Sequence, residues 1–298
     1  MEQYVLTLVA AAPGGLADRT ARSVRDALRD LGADAGPPRW LAEETACDLE
    51  FGMLAPEQAE AAARHRLKEA AVDCIAQAAG DRRKRLLVAD MDATIAAGES
   101  LDELARLAGL GEAVAAITDK SVNGRMAFNE ALRRRVGLLE GLPTETLDRA
   151  CEAIRLTPGA RTLVRTMRAG GACTVLVSGS FRQFVSRVAQ SCGFDLHEAN
   201  DAEIADGRLT GRLCGPVLDQ HGKLAALIRI AAERQIPLRL AVAVGDGAND
   251  IEMIKAAGLG VAFRPKAVVA AQARSRIVHG DLTALLYAQG YRREDFVE

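Results

Sequence analysis

The sequence lacks an excess of either charge, a long apolar run and a high aromatic content. Its 38 Lys and Arg residues are matched by 40 Asp and Glu residues, for a formal net charge of −2, so no basic field draws the chain to nucleic acid or to acidic lipid. The apolar run at residues 4–11 is too short to span a bilayer, and no basic region precedes it as in a signal peptide. We therefore expect a soluble globular protein with no nucleic-acid partner and no membrane segment.

The cysteines show neither a metal-binding nor a disulfide pattern. No CxxC pair occurs, and no cysteine lies near a histidine at the spacing of a metal site. Scattered cysteines of this kind are typical of reduced thiols, so we expect a cytoplasmic location. They are Cys47, Cys74, Cys151, Cys173, Cys192 and Cys214.

Residues 1–80 have the pattern of a small α+β domain. The run at 4–11 predicts a strand, and helical periodicity follows from 16 to 31. The alternation over 40–51 predicts one or two strands, and residues 56–79 read as another helix. A charged linker then leads into a different pattern.

Residues 81–298 predict an α/β domain with a Rossmann-like parallel sheet. Short apolar strands bounded by glycine, each followed by a helix, are typical of a parallel sheet covered on both faces. The helical stretch between the first two strands is several times too long for an ordinary crossover. We expect it to form a helical cap, at about 97–156, over the carboxyl edge of the sheet, where α/β proteins bind their ligands.

The strongest chemical signal is a pair of acids at the end of the strand at 85–89. Asp90 and Asp92 would repel each other unless a cation lies between them. Mg²⁺ and a phosphate group are the natural occupants, because Mg²⁺ takes few protein carboxylates and keeps oxygen ligands from water and substrate. One aspartate could then attack phosphorus while the other exchanges protons with the leaving group and with water.

A second strand ends in acids at Asp246 and Asp250, within a segment rich in glycine that allows close approach to a ligand. These two carboxylates could complete the metal's ligand set, and Asn249 adds a neutral donor and acceptor. A third strand ends at Ser178, where backbone N–H groups can bind phosphoryl oxygens. Lys223, just inside a predicted helix, could neutralise charge on the phosphoryl group.

Taken in order, these motifs resemble the haloacid dehalogenase superfamily of aspartate-nucleophile phosphatases, and within it the phosphoserine phosphatase family. The resemblance covers about residues 84–287. Its segments are DMDAT with Glu99 after it, SLDELARLAG, MAFNEALRRRVGLLEGLP, SGSF, DGRLTG and GDGANDIEMI.

The resemblance implies a haloacid dehalogenase fold and a division of labour among the acids. Asp90 would be the nucleophile and Asp92 the general acid and base. Mg²⁺ would be bound by Asp90, by the main-chain carbonyl of Asp92 and by Asp246, with Asp250 supporting them from behind. The reaction implied is hydrolysis of O-phospho-L-serine to serine and phosphate.

The resemblance also assigns the substrate-binding residues. Ser178, Gly179 and Lys223 would bind the phosphate, with Asn249 beside them. In the cap, three further residues would recognise the rest of phosphoserine. They are Glu99 for the ammonium, Arg135 for the carboxylate and Phe128 as an apolar wall.

The sequence departs from the family pattern near the catalytic loops. Ala93 stands where serine is usual, and Ser180 stands where a second glycine is usual. Gly98 and Ser100 flank Glu99 in place of bulkier residues. None of these changes removes a charged catalytic group, so we expect slower or altered turnover at worst.

Several alternatives stay open at this point. The enzyme could act on another small phosphorylated amino acid or alcohol, or could transfer phosphate to another alcohol. The chain could also be an amino-acid-sensing regulator that has lost turnover. Residues 1–80 faintly resemble ACT-type amino-acid-binding domains, and they could instead serve for packing or for forming a homodimer.

Overall fold

The N-terminal part of the chain folds into an antiparallel sheet with helices on one face. The computed structural model describes residues 3–298. The first elements are β1 (Tyr4–Ala10), α1 (Asp18–Asp30), β2 (Asp34–Ala35), β3 (Arg39–Ala42), β4 (Ala46–Gly52), α2 (Pro56–Arg66) and β5 (Val72–Ala78). The strand order is β2-β4-β1-β5, with β3 paired to β4. Apart from the short β3, this is the βαββαβ arrangement of a ferredoxin-like unit.

The helix predicted over residues 56–79 is wrong in its second half. α2 ends at Arg66, and β5 pairs with β1 along its whole length. The alanine-rich composition favoured a helix, but pairing with β1 overrides this weak propensity. The period of two was present in the sequence, because Cys74 and Ala76 pack under the helices while Ile75 packs on the opposite face.

The rest of the chain forms a second, larger sheet with a set of helices inserted after its first strand. Its elements are β6 (Leu86–Ala89), α3 (Ser100–Leu107), α4 (Gly111–Val122), α5 (Phe128–Gly137), α6 (Thr144–Ala153), α7 (Ala160–Ala169), β7 (Cys173–Phe181), α8 (Arg182–Cys192), β8 (Leu196–Ala205), β9 (Arg208–Cys214), α9 (Gln220–Glu233), β10 (Ala241–Gly245), α10 (Ile251–Ala256), β11 (Leu259–Phe263), α11 (Ala267–Ala270), β12 (Ser275–Ile277) and α12 (Ala284–Ala288).

This sheet confirms the predicted α/β class. Within the described residues it has seven strands in the order β12-β11-β10-β6-β7-β8-β9. Adjacent strands in this sheet are parallel, except that β9 runs antiparallel to β8. Helices α9 and α10 pack on one face, and α7, α8 and α12 pack on the other. Both faces are therefore buried, which explains the nearly continuous apolar strands.

The inserted helices α3 to α6 lie between β6 and β7 in the sequence, as the cap was predicted to do. They pack against one another and share one apolar core with the sheet. The domain boundaries drawn at residues 80 and 156 stay predictions. No helix in residues 3–298 has both the length and the apolar character that crossing a membrane requires.

The two sheets are joined by a buried ion pair. Asp48 on β4 is fully buried and accepts hydrogen bonds from Arg82 at 2.6 and 2.7 Å, from Thr7 at 2.8 Å and from Arg39 at 3.0 Å. Arg82 also donates to the carbonyl oxygen of Ala288 on α12. One guanidinium thus connects the N-terminal sheet to the last helix of the chain.

We expect Arg82→Ala to lower the free energy of unfolding by about 3 kcal/mol. The change leaves the Asp48 carboxylate buried with only the half-exposed Arg39 as a cationic partner. The measurement is urea unfolding followed by the fluorescence of Trp40, the one tryptophan of the chain.

The matched control is Arg22→Ala, which breaks an exposed pair with Asp18. Its expected cost is below about 1 kcal/mol. An equal loss of unfolding free energy in the two variants would contradict the prediction that the buried pair stabilises the fold more than an exposed pair does.

Candidate active site

Three neighbouring strands bring the predicted catalytic residues to one edge of the sheet. β6 lies between β10 and β7, all three parallel, with Ala89 in register with Val244 and with Leu176. Asp90 follows β6 directly, and its N–H donates to the carbonyl oxygen of Val244 at 2.9 Å. Because parallel strands end at the same edge, the acidic loops after β6 and β10 meet there, beside the serine near the end of β7.

Three carboxylates converge at this edge. Asp90, Asp246 and Asp250 each offer an oxygen, and these oxygens lie within 4.8 Å of one another. All three residues are buried, and the Oδ2 atom of Asp246 has no hydrogen-bond partner in the described part of the chain. An unpartnered buried carboxylate oxygen is costly unless a cation completes it. The donor set therefore fits a hard divalent cation with oxygen ligands.

Lys223 partly neutralises this cluster. Its Nζ donates to Asp90 Oδ1 at 2.5 Å and to Asp250 Oδ1 at 2.7 Å, and its side chain is fully buried. Burial and the charge of Asp250 raise the pKa of Asp90 to about 7, against the opposing effect of Lys223. Burial raises the pKa of Asp246 as well, and the charges of Asp90 and Asp250 add to it. Burial is thus the main cause of both raised pKa values, and the neighbouring carboxylates add to it.

Glycine at position 245 allows Asp250 to reach this cluster. A Cβ atom at Gly245 would lie 2.3 Å from the Cγ of Asp250. The Asp250 carboxylate also accepts a hydrogen bond from the N–H of Gly247 at 3.0 Å. The glycines in the loop after β10 therefore leave room for a buried acid beside the strand end.

The carboxylate of Asp92 lies outside the group of three and contacts the cap. It accepts hydrogen bonds from the Ser100 N–H at 2.9 Å and from the Ser100 hydroxyl at 3.1 Å. The Ser100 hydroxyl lies 2.5 Å from that of Ser180. Two residues that depart from the family pattern therefore contact each other and hold Asp92 at the start of α3.

Ala93 adopts a left-handed backbone conformation, with φ 52° and ψ 5°. Its N–H donates to the carbonyl oxygen of Gly98 at 3.0 Å, which closes the turn that leads into the cap. A non-glycine residue in this region carries a small steric cost. A backbone hydrogen bond thus closes this turn, and it requires no side chain at position 93.

The two charged residues predicted in the cap face each other. Arg135 lies 4.0 Å from a carboxylate oxygen of Glu99 and donates to the Thr118 hydroxyl at 3.2 Å. Arg135 is buried, and its Nε has no hydrogen-bond partner within residues 3–298. Burial and the charge of Asp92 raise the pKa of Glu99 to about 8. The Nε of Arg135 is thus a buried donor without a protein partner, which is uncommon in folded proteins.

Phe128 lies directly over Gly179, a residue of β7 that is predicted from the sequence to bind phosphate. A Cβ atom at Gly179 would lie 2.3 Å from the Cζ of Phe128. Glycine at this position lets the aromatic ring of Phe128 pack closely against the backbone near the end of β7.

Most of the predicted residues line one cavity of about 340 Å³ between the cap and the sheet. Its predicted lining residues are Asp90, Asp92, Glu99, Phe128, Arg135, Ser178, Gly179, Asp246 and Asn249. Lys223 and Asp250 do not line it, because both are fully buried behind Asp90. The structure thus places these two residues one layer below the cavity surface.

Sequence reasoning missed Asn200, which connects two loops of the site. Its Nδ2 donates to the carbonyl oxygen of Gly179 at 2.7 Å, and its Oδ1 accepts from the N–H of Leu218 at 2.7 Å. The side chain is buried. The available signal was a polar amide within a strand of the sheet, where a buried polar group needs partners.

A second missed contact joins the cap to α9. Asn129 on α5 donates to Asp219 at 2.9 Å. Asp219 also accepts from the N–H groups of His221 and Gly222, which caps the helix that carries Lys223. An aspartate just before a predicted helix was a signal for the N-cap, but nothing in the sequence indicated its cap partner.

The sequence and the fold of this chain are similar to those of known proteins. The model of the haloacid dehalogenase-like hydrolases matches residues 87–255. The phosphoserine phosphatase SerB2 of Mycobacterium tuberculosis is 43% identical over 212 residues, which are 71% of this chain and 52% of the relative. The chain thus spans about half the length of the first curated relatives that it matches.

Two solved structures extend the comparison to the fold. A phospho-aspartyl intermediate analogue of phosphoserine phosphatase has a TM-score of 0.66 and 38% identity, and the match covers 69% of this chain and 98% of that one. A hydrolase of the same family from Salmonella enterica serovar Typhi has a TM-score of 0.82 and 26% identity, with 96% and 98% covered. The chain belongs to the haloacid dehalogenase-like hydrolases.

Proposed function

We propose that this chain hydrolyses O-phospho-L-serine to serine and inorganic phosphate. The observation that carries the proposal is the cavity in which Asp90 faces a carboxylate and a guanidinium from the cap, Glu99 and Arg135. Phosphoserine needs a nucleophile at phosphorus, an anion for its ammonium and a cation for its carboxylate. Relatives named phosphoserine phosphatase support this assignment.

In the first step, a carboxylate oxygen of Asp90 forms a bond to phosphorus as the bond from phosphorus to the serine oxygen breaks. Asp92 gives its proton to that leaving oxygen. Serine is released, and an aspartyl phosphate remains on Asp90. The hydrogen bonds from Ser100 orient the Asp92 carboxyl group in the wall of the cavity, which supports this role.

In the second step, a water oxygen attacks phosphorus and the bond to Asp90 breaks. Asp92, now a carboxylate, takes the proton from that water. Inorganic phosphate leaves, and both aspartates return to their starting states. Exclusion of bulk water by the cap strengthens the charges around the phosphoryl group.

Mg²⁺ is the cation that we propose for the acidic cluster. Asp90, Asp246 and the main-chain carbonyl of Asp92 would hold it, with Asp250 supporting them from behind. When bound, it supplies positive charge beside the phosphoryl oxygens. The unpartnered Oδ2 of Asp246 supports a cation at this point.

The remaining residues would bind and orient the substrate. Ser178 and the backbone around Gly179 would hold the phosphate, with Asn249 beside them. Lys223 would act from below, holding Asp90 in place and adding positive charge. The wall formed by Phe128 would exclude larger alcohols.

Phosphatase activity on another small phosphorylated amino acid stays the second candidate, because Glu99 and Arg135 would recognise any such head group. A regulator without turnover is less well supported, since Asp90 and Asp92 are both present in the cavity. The ACT-like role of residues 1–80, a homodimer formed through them and a cytoplasmic location remain proposals from the sequence.

We expect Asp90→Asn to lower the rate of phosphate release from phosphoserine by at least about 10⁴-fold in the presence of Mg²⁺. The reason is that the amide of asparagine is not a nucleophile. The measurement is phosphate release under saturating substrate. Asp81→Asn, an exposed aspartate outside the cavity, is the matched control and should keep full activity. Full activity in Asp90→Asn would end the proposal.

We expect Arg135→Lys to raise KM for phosphoserine by about 10-fold or more, because lysine cannot grip a carboxylate with two parallel hydrogen bonds. Glu99→Gln should raise KM in the same way through the lost ammonium partner. Hydrolysis of p-nitrophenyl phosphate, which has no amino-acid head, serves as the control reaction. Similar losses on both substrates would mean that these residues do not recognise the head group.

We expect Mg²⁺ to stabilise the fold more at about pH 8 than at about pH 6. The pKa of Asp90 is raised from 3.8 to about 7, so the folded chain binds more protons than the unfolded one. Stability without metal therefore falls as pH rises between these two pKa values. Deprotonated carboxylates bind the cation, whereas protons compete with it at lower pH.

The measurement is the thermal midpoint with Mg²⁺ or with EDTA at each pH. Asp246→Asn should remove most of the difference, while Asp81→Asn should keep it. A Mg²⁺ effect that is independent of pH, or that survives in Asp246→Asn, would contradict the assignment of the cluster.

A further inference from the structure

A groove of about 670 Å³ lies at the seam between the N-terminal sheet and the larger sheet. Residues of α2, of β5 and of the loop between them form one wall. Residues that follow β11, the end of α11, and residues in and after β12 form the other. We call it the basic groove, after the five basic side chains among its lining residues. They are Arg64, Lys68, Arg264, Arg276 and His279.

The acidic side chain that lines the basic groove is already engaged. Asp73 is buried, and its two oxygens accept hydrogen bonds from the N–H groups of Val278, His279 and Gly280 at 2.7 to 3.2 Å. This carboxylate therefore fixes the loop after β12 to the N-terminal sheet. Four hydrogen bonds occupy its acceptor sites, so it has little capacity left to accept hydrogen bonds from the basic side chains around it.

Several of the basic side chains lack partners. Arg276 is half-buried, and neither it nor His279 has a side-chain hydrogen bond or ion pair within residues 3–298. Lys68 approaches only the exposed Glu69, at 4.0 Å. Arg64 pairs with Glu60, and Arg264 donates to the carbonyl oxygen of Gly280. Arg264 and Arg276 thus have no carboxylate partner within residues 3–298.

We propose that the basic groove binds a small phosphorylated molecule. Arginine side chains on both walls match the two-pronged recognition of phosphate oxygens. A free amino acid fits less well, because its ammonium would need a carboxylate and Asp73 is occupied. The volume exceeds that of a single phosphate ion and suits a ligand of metabolite size.

A short segment, residues 264–266, connects the groove to the loop that carries Asp246. Arg264 is separated from Lys266 by one proline, and the N–H of Lys266 donates to the carbonyl oxygen of Asp246 at 3.3 Å. The N–H of Arg264 donates to the carbonyl oxygen of Ile277 at 2.7 Å. A ligand bound by Arg264 would therefore contact a segment whose backbone is hydrogen-bonded to the loop that carries Asp246.

The test uses sulfate as the probe and the full chain in EDTA, where the metal-free carboxylates of the active site repel anions. We expect sulfate, compared with chloride at equal ionic strength, to raise the thermal midpoint by about 2–4 °C at tenfold excess over Kd. Arg264→Gln/Arg276→Gln should lose this increment. Arg276→Gln alone should weaken sulfate binding by about 5- to 10-fold, in line with the loss of one charged hydrogen-bonding group.

The matched control is Arg19→Gln/Arg149→Gln, which removes the same charge from two exposed sites elsewhere and should keep the increment. Equal increments in both double variants would overturn the proposal. So would an increment that Ser178→Ala removes, because sulfate would then bind in the active site. Stabilisation by L-serine that depends on Arg276 would assign the groove to an amino acid instead. None of these results depends on phosphoserine turnover.

Discussion

Repulsion among three buried carboxylates, balanced in part by one buried ammonium, is the constraint on which the active site depends. Asp90, Asp246 and Asp250 come from two strand ends that the parallel sheet forces together. Lys223 lies between two of them and cannot offset all three charges. The rest of the fold holds the three carboxylates together despite their repulsion. A divalent cation bound among them would offset the remaining negative charge. A binding site built this way costs stability when it is empty.

Polar contacts away from the cavity keep the loops of the site in register. Asn200 joins the end of β7 to the segment before α9, so one amide links the backbone at Gly179 to the helix that carries Lys223. Asn129 links that same helix to the cap. Asp92 is held by the first residue of α3. The inserted helices are therefore hydrogen-bonded to the loop after β6 and to the start of α9, and their position affects the position of Asp92.

The sequence was most informative where the chemistry requires charge at a strand end. Asp90 and Asp246 follow apolar strands, and the topology of a parallel sheet brings such ends together without further information. Glu99 and Arg135 could be assigned only through a family resemblance, because a charge on a helix has many uses. The strand at 72–78 was missed because its alanines favour a helix. Its partner strand, β1, lies roughly sixty residues earlier in the sequence, so no local pattern reveals the pairing. The contact between Ser100 and Ser180 joins distant segments, and no local pattern encodes it.

The way the N-terminal sheet is attached limits how the protein can be dissected. Val9, Leu41 and Ile75 belong to the same apolar core as Leu285 of α12. A fragment starting after residue 80 would present this part of α12 to water, and the loop held by Asp73 would lose its anchor. We therefore expect a fragment of residues 81–298 to aggregate unless the exposed apolar residues of α12 are replaced by polar ones. Inactivity of the unmodified fragment would then say nothing about catalysis.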